Sequence, residues 1–487
     1  MNSRIARTFL VAAAALLGLA LIGVIVVLKA FAPPAPVKPV ADAFTIEDVT
    51  IINPGGAHEA HQTLRVRDGH VVAPGARSGP DLRRYRGMYV LPGLVDMHGH
   101  MPPANPLQLT SYFQLLNLAH GVTSVRDAAD IDGTSLAALR AAEEAAGYPG
   151  PRDFPCGPFV SAGRAKWANT ILLAGPEDAE PAVARLKAQG SHCVKAYDGL
   201  TQPMVVALRE AAARHGLRLL GHVPETLTYE EAMLPDTQHL MGVAPMVSPL
   251  HRLVAQRGWD RVGDERLREV SGFAVRNGLA NTPTLVLDQQ VLSLASDAAA
   301  KASPAGQLMP RFYRDVVWDP QRGVPAYRGL QRADFDLVRA ALAGKMKLVR
   351  RLHEAGAQLY LGTDVQQPYV VPGLALQQEM RLFAESGIPV EDIWAIGTSQ
   401  SGRSLGLAQL GTIAPGAPAD LLIFARDPTT DLDAMSSLQA VVSRGRLYTK
   451  EDLDAKVAAY QSHYAGLVFD SLSTVLAAAA VRKTLGH

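Results

Sequence analysis

A chain of 487 residues with 48% hydrophobic content can bury a large core, and its length suits one large catalytic domain with a smaller companion. Its 47 Lys and Arg against 46 Asp and Glu leave a formal net charge of +1, so nothing in the balance favours nucleic acid or an anionic surface as the main partner, and a small-molecule substrate fits better. The only two cysteines, Cys156 and Cys193, exclude a disulfide framework and match no Cys-x-x-Cys spacing; on successive strands a bridge between them is geometrically difficult, so both are expected to be buried thiols.

The first predicted element is an apolar run over 9–28, preceded by Arg4 and Arg7 and followed by the proline-rich segment around Pro33, Pro34 and Pro36. It is long enough to span a bilayer. The single Ala-x-Ala candidate for cleavage, Ala30-Phe31-Ala32, runs directly into Pro33, which favours an uncleaved anchor over a signal peptide. Basic residues ahead of the run predict a cytoplasmic stub over 1–8, a transmembrane anchor over 9–28 and a linker over 29–42, although Lys29 and Lys38 weaken the charge bias. The lipid bilayer is then a partner, and the catalytic part is extracytoplasmic, in the periplasm.

Residues 43–90 alternate short β-branched runs with Gly, Pro and Asp turns, and 404–450 reads the same way. Between them, strand-like runs at 89–94, 122–125, 154–160, 192–197, 218–222, 237–240, 279–285 and 358–362 alternate with helical segments such as 204–214. Eight such units predict an α/β fold, a (β/α)8 barrel over 91–403, whose chemistry sits at the C-terminal ends of its strands. The stretch 288–332 is irregular and aromatic, and reads equally as a lid or a surface insertion. A helical extension over 451–487 ends in an alanine-rich piece too short to cross a membrane.

Candidate ligands fall at the ends of these runs: His98 and His100 in Val95-Asp96-Met97-His98-Gly99-His100, then Lys195, His222, His239 and Asp364. Residues i and i+2 of a strand face the same way, so His98 and His100 can reach one metal ion. Lys195 sits among apolar neighbours, and an ammonium has donors but no acceptor, so beside a cation it must be modified or displaced. Tyr197, two residues beyond Lys195, and His251 are candidates for touching substrate. Arg126, Arg164 and Lys166 are the basic candidates for a carboxylate pocket.

The ordered set His-x-His, Lys, His, His, Asp, preceded by Leu91-Pro92-Gly93-Leu94-Val95-Asp96 and followed by Gly411-Thr412-Ile413-Ala414-Pro415-Gly416-Ala417-Pro418-Ala419-Asp420-Leu421, resembles the amidohydrolase superfamily, its prolidase-like and imidazolonepropionase-like branches in particular. The resemblance implies a β-sandwich assembled from the two flanks, 43–90 and 404–450. It implies two divalent metal ions, zinc being the expectation, with His98, His100 and Asp364 holding the more buried one and His222 and His239 the second. Lys195 would carry a carboxyl group from carbon dioxide and bridge them. A metal-bridging hydroxide would cleave a C–N bond of a peptide-like amide, as in a dipeptidase, with Asp364 as general base and acid. The alternatives are a mononuclear deaminase, for which His222-Val223-Pro224-Glu225 has the His-x-x-Glu spacing, a lactone or ester hydrolase, or a catalytically inactive membrane-anchored scaffold. An oligomer is possible but not indicated.

Overall fold

The computed structural model describes residues 2–76, 78–102, 107, 109–130, 136–245, 253–323 and 325–484. The chain opens with the helix Asn2–Phe31. Its part Ala13–Phe31 is long and apolar enough to cross a membrane and none of it is buried; a segment of this kind serves as an anchor or as a signal sequence.

The two flanks combine into one mixed sheet of seven strands, in the order Arg446–Thr449, Leu438–Ser443, Leu421–Phe424, Tyr89–Pro92, Phe44–Ile52, His58–Arg67, His70–Val71. The expected two-layer sandwich is therefore one continuous sheet. It wraps its own core, because the inward row of Phe44–Ile52 meets the rows of Leu421–Phe424 and Leu438–Ser443 in a single cluster that includes Phe44, Ile46, Leu421, Ile423 and Val442. Alternation along Phe44–Ile52 skips a beat at Asp48, whose φ of 57° bulges the strand so that Val49 faces the core after Ile46.

The middle of the chain is a ring of parallel strands, here numbered by themselves: β1 (Leu94–Gly99), β2 (Val122–Asp127), β3 (Arg152–Pro155, resuming at Phe159–Ala162), β4 (Cys193–Ala196), β5 (Arg218–Gly221), β6 (Asp236–Gln238), β7 (Ala280–Thr282) and β8 (Gln358–Leu359). Each pairs with the next in parallel register. The last and first are joined where Met97 N donates to Leu361 O at 2.9 Å and His100 N to Val365 O at 2.8 Å. Helices such as Gln202–Arg214, Asp264–Arg276 and Arg332–Glu354 cover the outside; Asp264–Arg276 turns Leu267, Val270, Ser271 and Ala274 inward, the one-face spacing of an amphipathic helix.

Two expectations need correction. The run 89–94 is not the first ring strand. Tyr89–Pro92 is hydrogen-bonded on both sides within the flanking sheet, and the chain passes into β1 through Gly93. A Cβ there would stand 1.9 Å from Thr123 Oγ1, so only glycine allows the two sheets to meet at this point. Second, Cys156 and Cys193 are joined by a disulfide, with Cα atoms 4.4 Å apart. The expectation of free thiols assumed regular neighbouring strands. Instead, Cys156 lies in the break of β3 after Pro155, beside Gly157 with a φ of 77°, and this irregular backbone carries it close to the first residue of β4.

The extension predicted over 451–487 is two helices, Lys450–Tyr464 and Leu467–Thr484. The region 288–332 contains short helical pieces, among them Asp297–Ala302, Pro304–Leu308 and the turn Tyr313–Val317.

Candidate metal centre

His98 and His100 leave the end of β1 side by side, and Asp364 follows β8 by a few residues. Asp96 fixes this corner. It accepts from His98 N at 3.0 Å, from Thr363 N at 3.2 Å and from Thr363 Oγ1 at 2.6 Å, so the backbones carrying His98 and Asp364 share one buried carboxyl, whose pKa burial pushes up to about 7. One ligand atom from each of His98, His100 and Asp364 lies within 4.8 Å of the others. His98 Nε2 is 3.4 Å and His100 Nε2 3.3 Å from Asp364 Oδ1. This is a buried candidate metal site.

His239 and His222 stand next to this group. The His239 ring centroid is 4.7 Å from that of His98 and 4.9 Å from that of His222. His239 follows Gln238, the last residue of β6, and simple alternation would turn one of the two outward. A φ of 59° at His239 breaks the alternation, and both side chains enter the ring; Asp364 is turned in likewise, at 61°. Left-handed backbone in residues other than glycine is costly and concentrates where a side chain must be aimed.

Three of the four imidazoles are held through Nδ1. His98 Nδ1 is 2.5 Å from Gln238 Oε1, His100 Nδ1 is 3.0 Å from Ala129 O, and His239 Nδ1 is 2.6 Å from Thr284 Oγ1. The Ala129 carbonyl only accepts, and the Thr284 hydroxyl is used as donor to Pro283 O. Each Nδ1 therefore carries a proton, which leaves Nε2 as the ring nitrogen that faces the cluster. Burial, reinforced by Lys195, holds His98 and His222 well below the ordinary imidazole pKa, and burial does the same to His239. Burial lowers His100 too, but its contact with Asp364 and the charge of Asp127 outweigh this and raise it. His222 Nδ1 lies 3.7 Å from Asp198 Oδ1.

Lys195 enters from β4, almost wholly buried. Its Nζ is 3.5 Å from His98 Nε2, and among the described residues no carboxylate comes within ion-pair distance. Burial pushes its pKa down to about 7, against the pull of Asp364.

Of the expected substrate contacts, Tyr197 stands directly against this cluster. Its ring is 4.4 Å from His222 and its hydroxyl accepts from Trp167 Nε1 at 3.2 Å, and with Phe159 these rings form an aromatic wall. Lys166 Nζ sits 5.5 Å above the Tyr197 ring. Arg126 instead points into the ring of strands, where Nη2 is 2.5 Å from Asp236 Oδ2 and Nε donates to Met97 O at 2.7 Å. Arg164 is exposed. His251 lies outside the described residues. The region 288–332 packs on the ligand end: Tyr313 Oη donates to Gln366 Oε1 at 2.9 Å, and Gln366 Nε2 donates to His100 O at 3.2 Å.

Comparison with known proteins agrees with this geometry. Residues 330–448, which include Asp364, match the amidohydrolase family by sequence. Among solved structures, this chain is similar to a bottromycin amidohydrolase, with a TM-score of 0.66 at 22% identity over 90% of this chain and 92% of that one. It is also similar to a Xaa-Pro dipeptidase with methionine bound in the active site, with a TM-score of 0.60 at 18% identity over 84% and 100% of the two chains. The ochratoxinase of A. niger gives a TM-score of 0.59 at 15% identity over 85% and 96%. No curated protein matches this chain by sequence.

Proposed function

We propose that this chain is an amidohydrolase, a membrane-anchored, extracytoplasmic hydrolase of C–N bonds in peptide-like amides, built as a (β/α)8 barrel around two divalent metal ions. The observation that carries the reading is the shared orientation of His98, His100 and His239, each with Nδ1–H committed to an acceptor and Nε2 facing the cluster. Buried imidazoles gathered with one carboxylate suit zinc and similar ions. His98, His100 and Asp364 would hold one ion, and His222 and His239 the second.

Lys195 fits the bridging role on two counts. A buried ammonium without a counter-charge is costly, and a pKa near 7 leaves much of it as the free amine, the form that adds to carbon dioxide, releasing one proton and leaving a carboxylate on Nζ. Metal ions, when bound, polarise the scissile carbonyl and lower the pKa of water. The protein's own part is to place and shuttle: the wall of Phe159, Trp167 and Tyr197 packs the substrate, and the Asp364 carboxylate takes a proton from attacking water and returns it to the leaving nitrogen. The solved relatives named for dipeptide and amide cleavage support the peptide-like substrate by analogy.

Among the alternatives, the deaminase reading needs Glu225 free beside His222, whereas Glu225 Oε2 accepts from Gly199 N at 3.1 Å. The buried disulfide supports an oxidising compartment, and the exposed apolar helix supports the anchor.

The test is metal content of the full chain purified with bicarbonate and without chelators, beside Lys195→Met. The reading expects about two metals per chain, falling in the variant. One metal or fewer, indifferent to the substitution, sinks the lysine bridge.

A further inference from the structure

Among the described residues outside the N-terminal helix, the large apolar side chains left in solvent are Val40, Leu172, Val275 and four residues of one helix, Leu467, Leu472, Val475 and Leu476. Single exposed hydrophobics are ordinary, but a cluster on one element marks an interaction surface. In Leu467–Thr484 the residues Phe469, Ser473 and Ala477 recur at every fourth position and are buried, whereas Leu467 is 83%, Val475 65%, Leu476 48% and Leu472 38% exposed. The helix thus seats one row on the protein and leaves an apolar flank without a partner among the described residues.

What covers that flank is indicated by its neighbours. Phe469 packs its ring 4.8 Å from that of Phe31, the last residue of the apolar N-terminal helix. The flank therefore begins where the chain would emerge from the membrane, and the bilayer is the apolar phase nearest to it. The exposed Arg482 at the far end suits a headgroup region. On its protein side, the same helix grips the aromatic insertion: Phe469 lies 6.4 Å from Phe312, and Arg311 Nη1 is 3.0 Å from Asp470 Oδ2. The insertion continues through Tyr313 and Gln366 to His100.

We infer that the exposed flank of Leu467–Thr484 lies on the bilayer beside the N-terminal helix, as a second, interfacial membrane contact that holds the Phe312–Tyr313 rim of the metal centre at the membrane surface. The inference rests on the reading of Ala13–Phe31 as a retained anchor.

The experiment uses the full chain in phosphatidylcholine–phosphatidylglycerol vesicles, with an environment-sensitive fluorophore on Leu476→Cys, on Ile22→Cys within the anchor, or on Leu172→Cys on the catalytic domain. The native cysteines are bonded and buried, so only the new thiol reacts, and all three sites are exposed, so the fold tolerates the label. Brominated lipids should quench positions 476 and 22 severalfold more than position 172. Quenching at 22 with 476 no better than 172 overturns the docking and leaves the anchor standing. No quenching at 22 or 476 overturns both. Self-quenching at 476 that unlabelled chain relieves, without quenching by lipid, means that a second copy covers the flank, and also overturns the proposal.

Discussion

Gln238 Oε1 lies 2.5 Å from His98 Nδ1, while the same amide's Nε2 donates to Asp236 O at 3.2 Å. The second bond fixes which end of the amide faces the imidazole, so Gln238 sets the tautomer of His98. Partners of this kind typically account for 10–100-fold in metal affinity. Gln238→Leu, close in volume, should therefore weaken metal binding by about 10–100-fold in competition with a chelator, with an unchanged far-ultraviolet circular dichroism spectrum. Affinity within about twofold of the parent would show that His98 is oriented by packing alone.

The disulfide closes a loop with a sequence separation of 37 beside the strand that carries Lys195. Loop closure of that size contributes on the order of 2–4 kcal/mol by restricting the unfolded chain. The double variant Cys156→Ala/Cys193→Ala should lose about that much in denaturant unfolding, and the parent should approach the variant when unfolded under reducing agent. Identical midpoints for parent and variant under oxidising conditions would count against a bonded pair.

The order of the candidate ligands was legible from the chain because each sits at the end of an apolar run, and ring strands buried on both faces read as such runs. What holds the ligands was less legible. Gln238 and Thr284 act on His98 and His239 from other strands, and the positive φ values of His239 and Asp364 leave no trace in residue type. Thr284 was in view only as part of the seventh run, and Asp96 only as part of the motif. Arg126 is instructive in another way: a basic residue at a strand end can serve a substrate or a buried carboxylate, and only the register opposite Asp236 separates the two.

Glu379 is wholly buried and accepts from Leu285 N at 3.0 Å and Val286 N at 2.6 Å, tying down the start of the helix that follows Thr284. Burial pushes its pKa up to about 8, against these two bonds. The folded state therefore holds a proton that the unfolded state releases near pH 4.5, and stability present below that pH is lost as pH rises through about 8. Melting temperatures across this window should fall with rising pH, and Glu379→Gln should flatten the fall relative to the parent. Parallel slopes for the two proteins would mean that Glu379 is ionised in both states.

Arg126 and Asp236 are both nearly inaccessible, with Nη2 2.5 Å from Oδ2. Thr282 Oγ1 also donates to Asp236 at 2.9 Å, so the pair ties β2, β6 and β7 across the interior of the ring. Removing one partner of such a pair strands the other charge away from water, which costs about 3–5 kcal/mol, whereas removing both is far milder. Arg126→Leu should accordingly destabilise the protein by about that amount, and Arg126→Leu/Asp236→Leu should recover most of it. Among molecules that remain folded, KM should stay within about twofold, because the guanidinium is committed to Asp236 and Met97 O inside the ring; a change in KM for charged but not neutral substrates, without loss of stability, would instead make Arg126 a substrate contact, the signature expected of a carboxylate anchor.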